Sequence, residues 1–347
     1  MVKSESLSKE WLSKFERIDT SILERMVNAF LLAEALKSNG LNFIFKGGTS
    51  LSLLFSEPKR FSIDIDIITQ EESTKIEQIL EDICKHTHFI RYELDERRSF
   101  KNGISKAHYK LFFNSSINDR ESYVLLDILF EENSYTELLD IEIKNRFVIT
   151  DYNPIKLQIP SFNSFAGDKL TAFAPHTIGI PLGIDKELEI AKQLFDIGNI
   201  FDNINNYEIA SNTYLSIAQK EINYRELDIT ISDSLDDTIN TSLIWSRNKN
   251  VGSNLEIFND LEQGRKSLTS YLTTSSFTKD AAIESVAKAA LLAIKIKSKN
   301  LTPLEPFDEN TGIKKYLITK EEYNFLNKLK NLPNKALYYW FHAIELL

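Results

Sequence analysis

Cysteine is almost absent from this sequence, since Cys84 is the single one among 347 residues. An internal disulfide framework and a zinc site built on cysteines are therefore excluded. Long apolar runs are missing too, because no uninterrupted stretch approaches the ~20 residues of a membrane helix. The N-terminal residues are charged and lack the apolar core of a signal peptide. We expect a soluble, cytoplasmic protein with no membrane partner.

An excess of positive charge is also lacking. The chain has 41 Lys and Arg against 50 Asp and Glu, which gives a formal net charge of -9. Such a chain does not attract nucleic acid with its whole surface, so an RNA partner would need local basic patches. The two candidate clusters are Arg91, Arg97, Arg98, Lys101, Lys106 and Lys110, and Lys295, Lys297 and Lys299. Charge runs of this kind are more often ordinary solvated faces.

The hydrophobic pattern changes near Pro160. Before it, strand and helix periods alternate, and after it nearly every periodic segment is helical. The composition, with 42% hydrophobic and 26% charged residues, is that of a globular protein long enough for two domains. We predict the α+β class, with a mixed-sheet domain and N-terminal helices over residues 1–160. A mostly helical domain is predicted over residues 161–347.

A predicted strand over residues 61–69 carries two carboxylates on one face. Asp64 and Asp66 alternate with isoleucines at the strand period of two. Upstream, a short apolar strand over residues 41–45 leads into Gly47-Gly48, and a helix is predicted over residues 49–55. A Gly-Gly turn lets backbone N–H groups approach a phosphate closely. Thr49 is expected to cap the helix, and Thr49 and Ser50 to add hydroxyl donors.

A third carboxylate, Asp127, interrupts the apolar strand VLLDILF. Burying it without a partner is costly, and a metal ion removes that cost. Mg²⁺ prefers oxygen ligands, and a site with two ions needs a third carboxylate beside the first pair. Each feature alone has a simpler interpretation, as a plain turn, a solvated strand face or an edge strand. Their order in the chain favours a nucleotidyltransferase in which Asp64, Asp66 and Asp127 hold two Mg²⁺ ions and an NTP is the substrate.

The segments GGTSL and, eight residues later, RFSIDIDI resemble the first motif of the AbiEii/AbiGii toxin nucleotidyltransferases, which include the MenT toxins. The resemblance implies a polymerase-beta-like nucleotidyltransferase domain followed by a helical domain. It also implies Mg²⁺, an NTP and transfer to tRNA, typically at the 3′ acceptor end. Members are toxins of type IV toxin-antitoxin systems encoded beside an antitoxin. The nucleotide-binding residues implied by this motif are Gly47, Gly48, Thr49, Ser50 and Arg60.

The resemblance continues down the chain. Asp127 matches the third metal carboxylate, and Asp168-Lys169-Leu-Thr-Ala172 is similar to the KxxA motif, which implies that Lys169 binds NTP phosphates. The segment KQLFDI resembles a later motif written R-D-x-x-D-L, which implies a catalytic role for Asp196. Lys192 and Gln193 depart from that motif. The simpler interpretations are a solvated Lys169 and a surface pair of Lys192 with Asp196.

Three kinds of function remain open from the sequence. The first is a toxin that modifies tRNA. A second is a nucleotidyltransferase with the same core that acts on a small molecule or a protein. The third is a binding protein that has kept the fold without activity, which the presence of Asp64, Asp66 and Asp127 together argues against.

Overall fold

The computed structural model describes residues 1–16, 18–97, 99, 105–247, 255–273, 276–308 and 312–347. The chain divides into two compact units, residues 1–161 with 270–275, and residues 162–269 with 276–347. The short segment 270–275 was not expected to join the first unit, because the sequence around it is continuous with the helical part. In the described ranges, no helix is both long enough and apolar enough to cross a bilayer.

The first unit is built on a mixed sheet. Its described elements are α1 (Lys9–Leu12), α2 (Thr20–Ser38), β1 (Ile44–Lys46), α3 (Gly47–Leu51), β2 (Ile65–Thr69), α4 (Ser73–His86), β3 (Phe89–Leu94), β4 (Lys106–Asn114), β5 (Glu121–Phe130), β6 (Leu138–Glu142) and β7 (Lys156–Pro160). The strands lie in the order β3-β4-β5-β2-β1-β7-β6. The pairs β2–β5 and β1–β7 are parallel, and the other neighbouring pairs are antiparallel.

One face of this sheet forms the core of the first unit. Along β5, Val124, Leu126 and Ile128 are buried, whereas the alternate residues Leu125 and Asp127 are only half-buried. Most of α2 is buried as well, and Asp19 caps it by accepting a hydrogen bond from the Ser21 N–H at 2.8 Å. The face that carries Asp127 is therefore the one left available for chemistry.

The second unit is helical. The described elements after residue 161 are α5 (Phe162–Ala172), α6 (Glu187–Phe201), α7 (Tyr207–Tyr224), α8 (Ile231–Ser246), α9 (Leu255–Ser267), α10 (Lys279–Ser298) and α11 (Ala336–Glu345), with 3-10 segments at Leu268–Tyr271, Ile313–Tyr316 and Glu321–Asn331. Helix α10 is buried along nearly its whole length. A mixed sheet followed by a helical unit confirms the predicted α+β class.

Three local predictions differ from the structure. The helix expected over residues 49–55 is α3, which begins at Gly47 and has Lys46 as its N-cap without a side-chain cap, so Thr49 lies inside the helix. Strand β2 begins only at Ile65, which leaves Asp64 just before it. The helical pattern of residues 319–346 predicts one helix, but the structure has a 3-10 segment at Glu321–Asn331 and α11 at Ala336–Glu345 on the two sides of Pro333, because proline lacks the N–H that a continuing helix requires.

Candidate active site

Four polar residues form a row across the open face of the sheet. Asp66 lies directly opposite Asp127 in the parallel pair β2–β5. Lys46 lies opposite Asp66 in β1, and His108 opposite Asp127 in β4. Paired residues project to the same face, and neighbouring strands lie about 4.8 Å apart. Asp64 lies two residues before Asp66, just outside strand β2. The structure thus brings Asp66 and Asp127 together in register, and the placement of Asp64 beside them stays a prediction from the strand period of two.

The carboxylate of Asp66 packs closely against Gly47 in the Gly-Gly turn. Its φ is +78°, a conformation that residues with a side chain rarely adopt. A Cβ atom at this position would lie 2.0 Å from Asp66 Oδ2, far inside contact distance. Glycine is therefore required here both by the backbone and by the neighbouring carboxylate. The predicted link between the Gly-Gly turn and the aspartate pair is a direct contact.

Gly48 lies similarly close to the side chain of Arg60. A Cβ at Gly48 would lie 2.5 Å from Arg60 Nη2 and 2.8 Å from Ser62 Oγ. Arg60 is 7% exposed, and its Nη1 donates a hydrogen bond to the Phe61 carbonyl at 3.1 Å. The guanidinium of Arg60 therefore lies beside the Gly-Gly turn. Its predicted role in binding the nucleotide stays a prediction.

A segment from late in the chain braces Arg60. The Phe61 N–H donates to the Tyr271 carbonyl at 2.7 Å, and the Thr273 N–H donates to the Lys59 carbonyl at 3.2 Å. Arg60 and Leu272 form an isolated antiparallel bridge between these bonds. This segment has no motif that would reveal its role from sequence, because its pairing joins residues far apart in the chain.

Thr49 and Ser50 differ from their expected role. Both are fully buried, and the Thr49 hydroxyl donates to the Asp64 carbonyl at 2.6 Å. The Ser50 hydroxyl donates to the Gly47 carbonyl at 3.2 Å. Their side chains brace the turn and the backbone at Asp64 and do not face outward toward a phosphate. Any phosphate contact from this pair would come from the backbone.

His108 is a site residue that the sequence analysis missed. Its Nδ1 lies 2.6 Å from Asp127 Oδ1, and the two side chains are 11% and 24% exposed. A ring proton on Nδ1 lets the imidazole donate to the carboxylate and fix its orientation. Alternation along β4 places His108 on the open face, but the register that sets it opposite Asp127 is not visible in the sequence.

The aspartates suit a magnesium ion in donor type. Carboxylate oxygens are the ligands that Mg²⁺ prefers, and Asp66 and Asp127 are paired in register, with Asp64 two residues before Asp66. Among the described residues, however, no group of three or more His, Cys, Asp or Glu is arranged to hold a metal ion. The three-carboxylate metal site therefore stays a prediction that the shared face and the strand register support.

Lys169 and Asp196 form a buried ion pair in the second unit. Lys169 Nζ lies 3.4 Å from Asp196 Oδ2, with side chains 7% and 4% exposed. The same ammonium donates to Gln193 Oε1 at 3.0 Å. The simpler interpretations, a solvated lysine and a surface pair with Lys192, are wrong because both residues are buried between α5 and α6. Gln193, which departs from the family motif, serves as a neutral acceptor for Lys169.

Several cations of the two basic clusters are buried or paired with carboxylates. Lys295 is buried, donates to the Thr302 carbonyl at 2.6 Å, and has its pKa lowered by desolvation. Lys297 lies 2.6 Å from Asp236 Oδ2. In the first cluster, Arg91 pairs with Glu121 at 2.5 Å, and Arg98 and Lys101 lie outside the described residues. These contacts reduce the positive charge that Arg91, Lys295 and Lys297 present to a partner.

The family is shown by comparison with known proteins. A family model described as the nucleotidyl transferase AbiEii toxin of type IV toxin-antitoxin systems matches residues 30–249, more than half of the chain. The chain belongs to this family. It is therefore a nucleotidyltransferase, as its motifs predicted, and a type IV family implies an antitoxin partner. No curated protein matches the chain.

Three solved structures are similar to this chain at low scores. JHP933 from Helicobacter pylori has a TM-score of 0.44 at 14% identity, covering 84% of this chain and 94% of its own. A putative nucleotidyltransferase from H. pylori has a TM-score of 0.38 at 14% identity, covering 84% and 97%. An antigenic nucleotidyltransferase-like protein from Paracoccidioides brasiliensis has a TM-score of 0.35 at 15% identity, covering 60% and 93%. Likenesses this distant support no further conclusion.

Proposed function

We propose that this AbiEii family member is the toxin of a type IV toxin-antitoxin system. In this proposal it transfers nucleotides from an NTP to the 3′ acceptor end of tRNA, with Mg²⁺ held by Asp64, Asp66 and Asp127. The observation that carries the proposal is the row in which Asp66 lies opposite Asp127 while its carboxylate contacts Gly47. Phosphate-binding turn and carboxylates thereby lie side by side.

The diphosphate leaving group is proposed to lie at the Gly-Gly turn. Arg60 and the backbone of Gly47 and Gly48 contact the β- and γ-phosphates, because a guanidinium matches phosphate oxygens and glycines allow close approach. When bound, Mg²⁺ stabilises negative charge on the attacking and leaving oxygens of an in-line displacement. His108 keeps the Asp127 carboxylate in one orientation throughout. These residues position the α-phosphorus over Asp66 and Asp127.

Lys169 is proposed to bind NTP phosphates as a compact positive charge. The support is the family motif together with its buried position, where Asp196 and Gln193 hold the ammonium in place. Asp196 is thus proposed to act through Lys169. A general-base role for Asp196 is not needed for this arrangement.

The tRNA acceptor is proposed from the family, with little support from surface charge, because Arg91 and Lys297 pair with carboxylates and Lys295 is buried. The alternative is a small molecule or a protein as acceptor, and the experiment must distinguish it from tRNA. No described feature of the structure favours that alternative.

The test is a labelling assay with fractionated acceptors. The protein is incubated with Mg²⁺, each α-labelled NTP, and separately total RNA, cellular protein or small metabolites, with Asp127→Asn as the inactive control. We expect label in tRNA that a 3′ exonuclease releases. Label in the protein or metabolite fraction alone would replace tRNA with another acceptor, and no label with any NTP would overturn the proposal.

A further inference from the structure

A polar cavity of about 270 Å³ opens in the first unit at one end of the central strands. Its floor includes Ile44 and Ile68, which are opposed in register in β1 and β2. Gln158 of β7 pairs with Ile44 and lines the same cavity. The size is just below the ~300–1,000 Å³ typical of ligand pockets, so one nucleoside suits it better than a longer chain.

The cavity lies beside the carboxylate row. Ile68 is two residues after Asp66 in β2, and Ile44 is two residues before Lys46 in β1. Residues two apart in a strand project to the same face, about 7 Å from each other along it. The cavity floor is therefore the next row of side chains on the face that carries Asp66 and Asp127.

The Gly-Gly turn lies on the other side of that row. Strand β1 runs from Ile44 through Lys46 into Gly47, so the turn lies beyond Asp66 in the direction away from Ile68. The contacts of Gly48 with Arg60 and Ser62, both before Asp64 in the chain, place it on the same side. The carboxylates thus separate the turn from the cavity.

The lining of the cavity suits an uncharged hydrogen-bonding group. Its polar members are Asn42, Gln70, Glu71, Glu131, Asn133 and Gln158, and among the described lining residues there is no Lys or Arg. Two carboxylates without a lining cation disfavour a phosphate. Amides and carboxylates do match base edges and ribose hydroxyls, and apolar side chains pack against a base.

We propose that this cavity binds the terminal nucleoside of the acceptor RNA and presents its hydroxyl to the α-phosphorus. The inference rests on the proposed function and deepens it. In an in-line displacement the attacking oxygen enters opposite the leaving group. With the diphosphate leaving toward Gly47 and Gly48, the attacking hydroxyl comes from the cavity side.

The step is balanced by the groups already named. A bond forms between the acceptor hydroxyl oxygen and the α-phosphorus, and the bond from the α-phosphorus to the bridging oxygen breaks. The diphosphate leaves with that electron pair, and water takes up the hydroxyl proton. No oxidant, reductant or further reactant is required.

The test separates the KM for the acceptor from the KM for the NTP. Gln158→Phe fills the cavity from an exposed position of β7, where an aromatic residue suits a strand. Lys156→Phe is the matched control, because Lys156 is exposed on the same strand and does not line the cavity. Asn42→Phe fills the cavity from the β1 side. It is the second cavity variant, for use if Gln158→Phe lowers the melting temperature.

We expect Gln158→Phe and Asn42→Phe to raise the KM for deacylated tRNA at least about tenfold, with the NTP KM within about twofold of wild type. Lys156→Phe should change neither constant. An unchanged tRNA KM in both cavity variants, or a rise in the NTP KM instead, would overturn the inference while leaving the proposed function standing. A wild-type protein that labels no RNA would remove both.

Discussion

Replacing Gly47 with alanine tests the contact that joins the turn to the carboxylates. The new Cβ would lie 2.0 Å from Asp66 Oδ2 and 2.8 Å from Asp66 Cγ. An ordinary contact begins near 3.4 Å, so the carboxylate must withdraw by roughly 1.4 Å. A misplacement of about 1 Å at a reacting centre costs on the order of a hundredfold in rate. We therefore expect Gly47→Ala to lose at least about a hundredfold in nucleotidyl transfer, about 2.7 kcal/mol of transition-state stabilisation.

The chain supplies a matched control for the backbone part of this change. Gly40 has a φ of +82°, nearly that of Gly47, but a Cβ there would meet nothing within 4 Å. Alanine in the left-handed conformation costs about 1–2 kcal/mol at either position. Gly40→Ala should therefore lose about that free energy of unfolding by urea denaturation, and Gly47→Ala at least as much, but only Gly47→Ala should lose activity.

The assay is initial-rate transfer of an α-labelled nucleotide at saturating Mg²⁺, run beside the denaturation curves. Activity of Gly47→Ala within a few fold of Gly40→Ala would refute the reasoning, because the carboxylate would then tolerate displacement. Equal loss of activity in both variants would also refute it, since strain in the backbone would explain the whole effect.

Two further variants test how the site residues are held. His108→Leu removes the donor to Asp127 and should lower kcat/KM and raise the Mg²⁺ concentration needed for half-maximal rate, whereas His108→Asn keeps an N–H near the Nδ1 position and should restore much of both. Lys169→Ala should raise the KM for the NTP, and it should also cost about 3–5 kcal/mol in thermal unfolding, because it removes the ammonium paired with a buried carboxylate.

These outcomes are open to contradiction. Identical Mg²⁺ dependence in His108→Leu and wild type would show that the contact does not position Asp127. For Lys169, wild-type NTP binding by a variant that is still folded would remove it from the site. An unchanged melting temperature would show instead that the pair with Asp196 contributes nothing to stability.

Local periodicity predicts that Asp64 and Asp66 share one face of a strand. The alternation of Asp64 and Asp66 with isoleucines is written in the sequence, and so is the apolar run around Asp127. The register that pairs Asp66 with Asp127 cannot be predicted from the sequence, because two strands and a helix separate β2 from β5 along the chain. The contact of His108 with Asp127 depends on that register, which is why it was missed.

The burial of Lys169 and Asp196 between two helices could not be predicted from the sequence either. A lysine and an aspartate on two amphipathic helices have no sequence signal that they face each other, so Lys169 and Asp196 were open to surface interpretations. The bracing of Arg60 by residues 270–273 joins segments far apart in the chain and left no periodic pattern. Such contacts are set by tertiary packing.

One missed element did have a usable signal. Helix α8 was not predicted, since its sequence is rich in Ser, Thr and Asp, which favour caps and turns over helix interiors. Thr230 and Asp233, however, form a capping box, which is a helix-start pattern readable from the sequence. The split at Pro333 was readable too, because proline interrupts a helix.

The most direct test of the account compares wild type with Asp66→Asn and Asp64→Asn in transfer of label from an α-labelled NTP with Mg²⁺. Asparagine keeps the shape of aspartate but lacks its charge, so the fold should be unchanged while the metal clamp weakens. We expect transfer to fall at least about a thousandfold in each variant, with unaltered melting temperature in the absence of metal. Near wild-type transfer by a folded Asp66→Asn protein would contradict the central claim that these carboxylates carry the reaction.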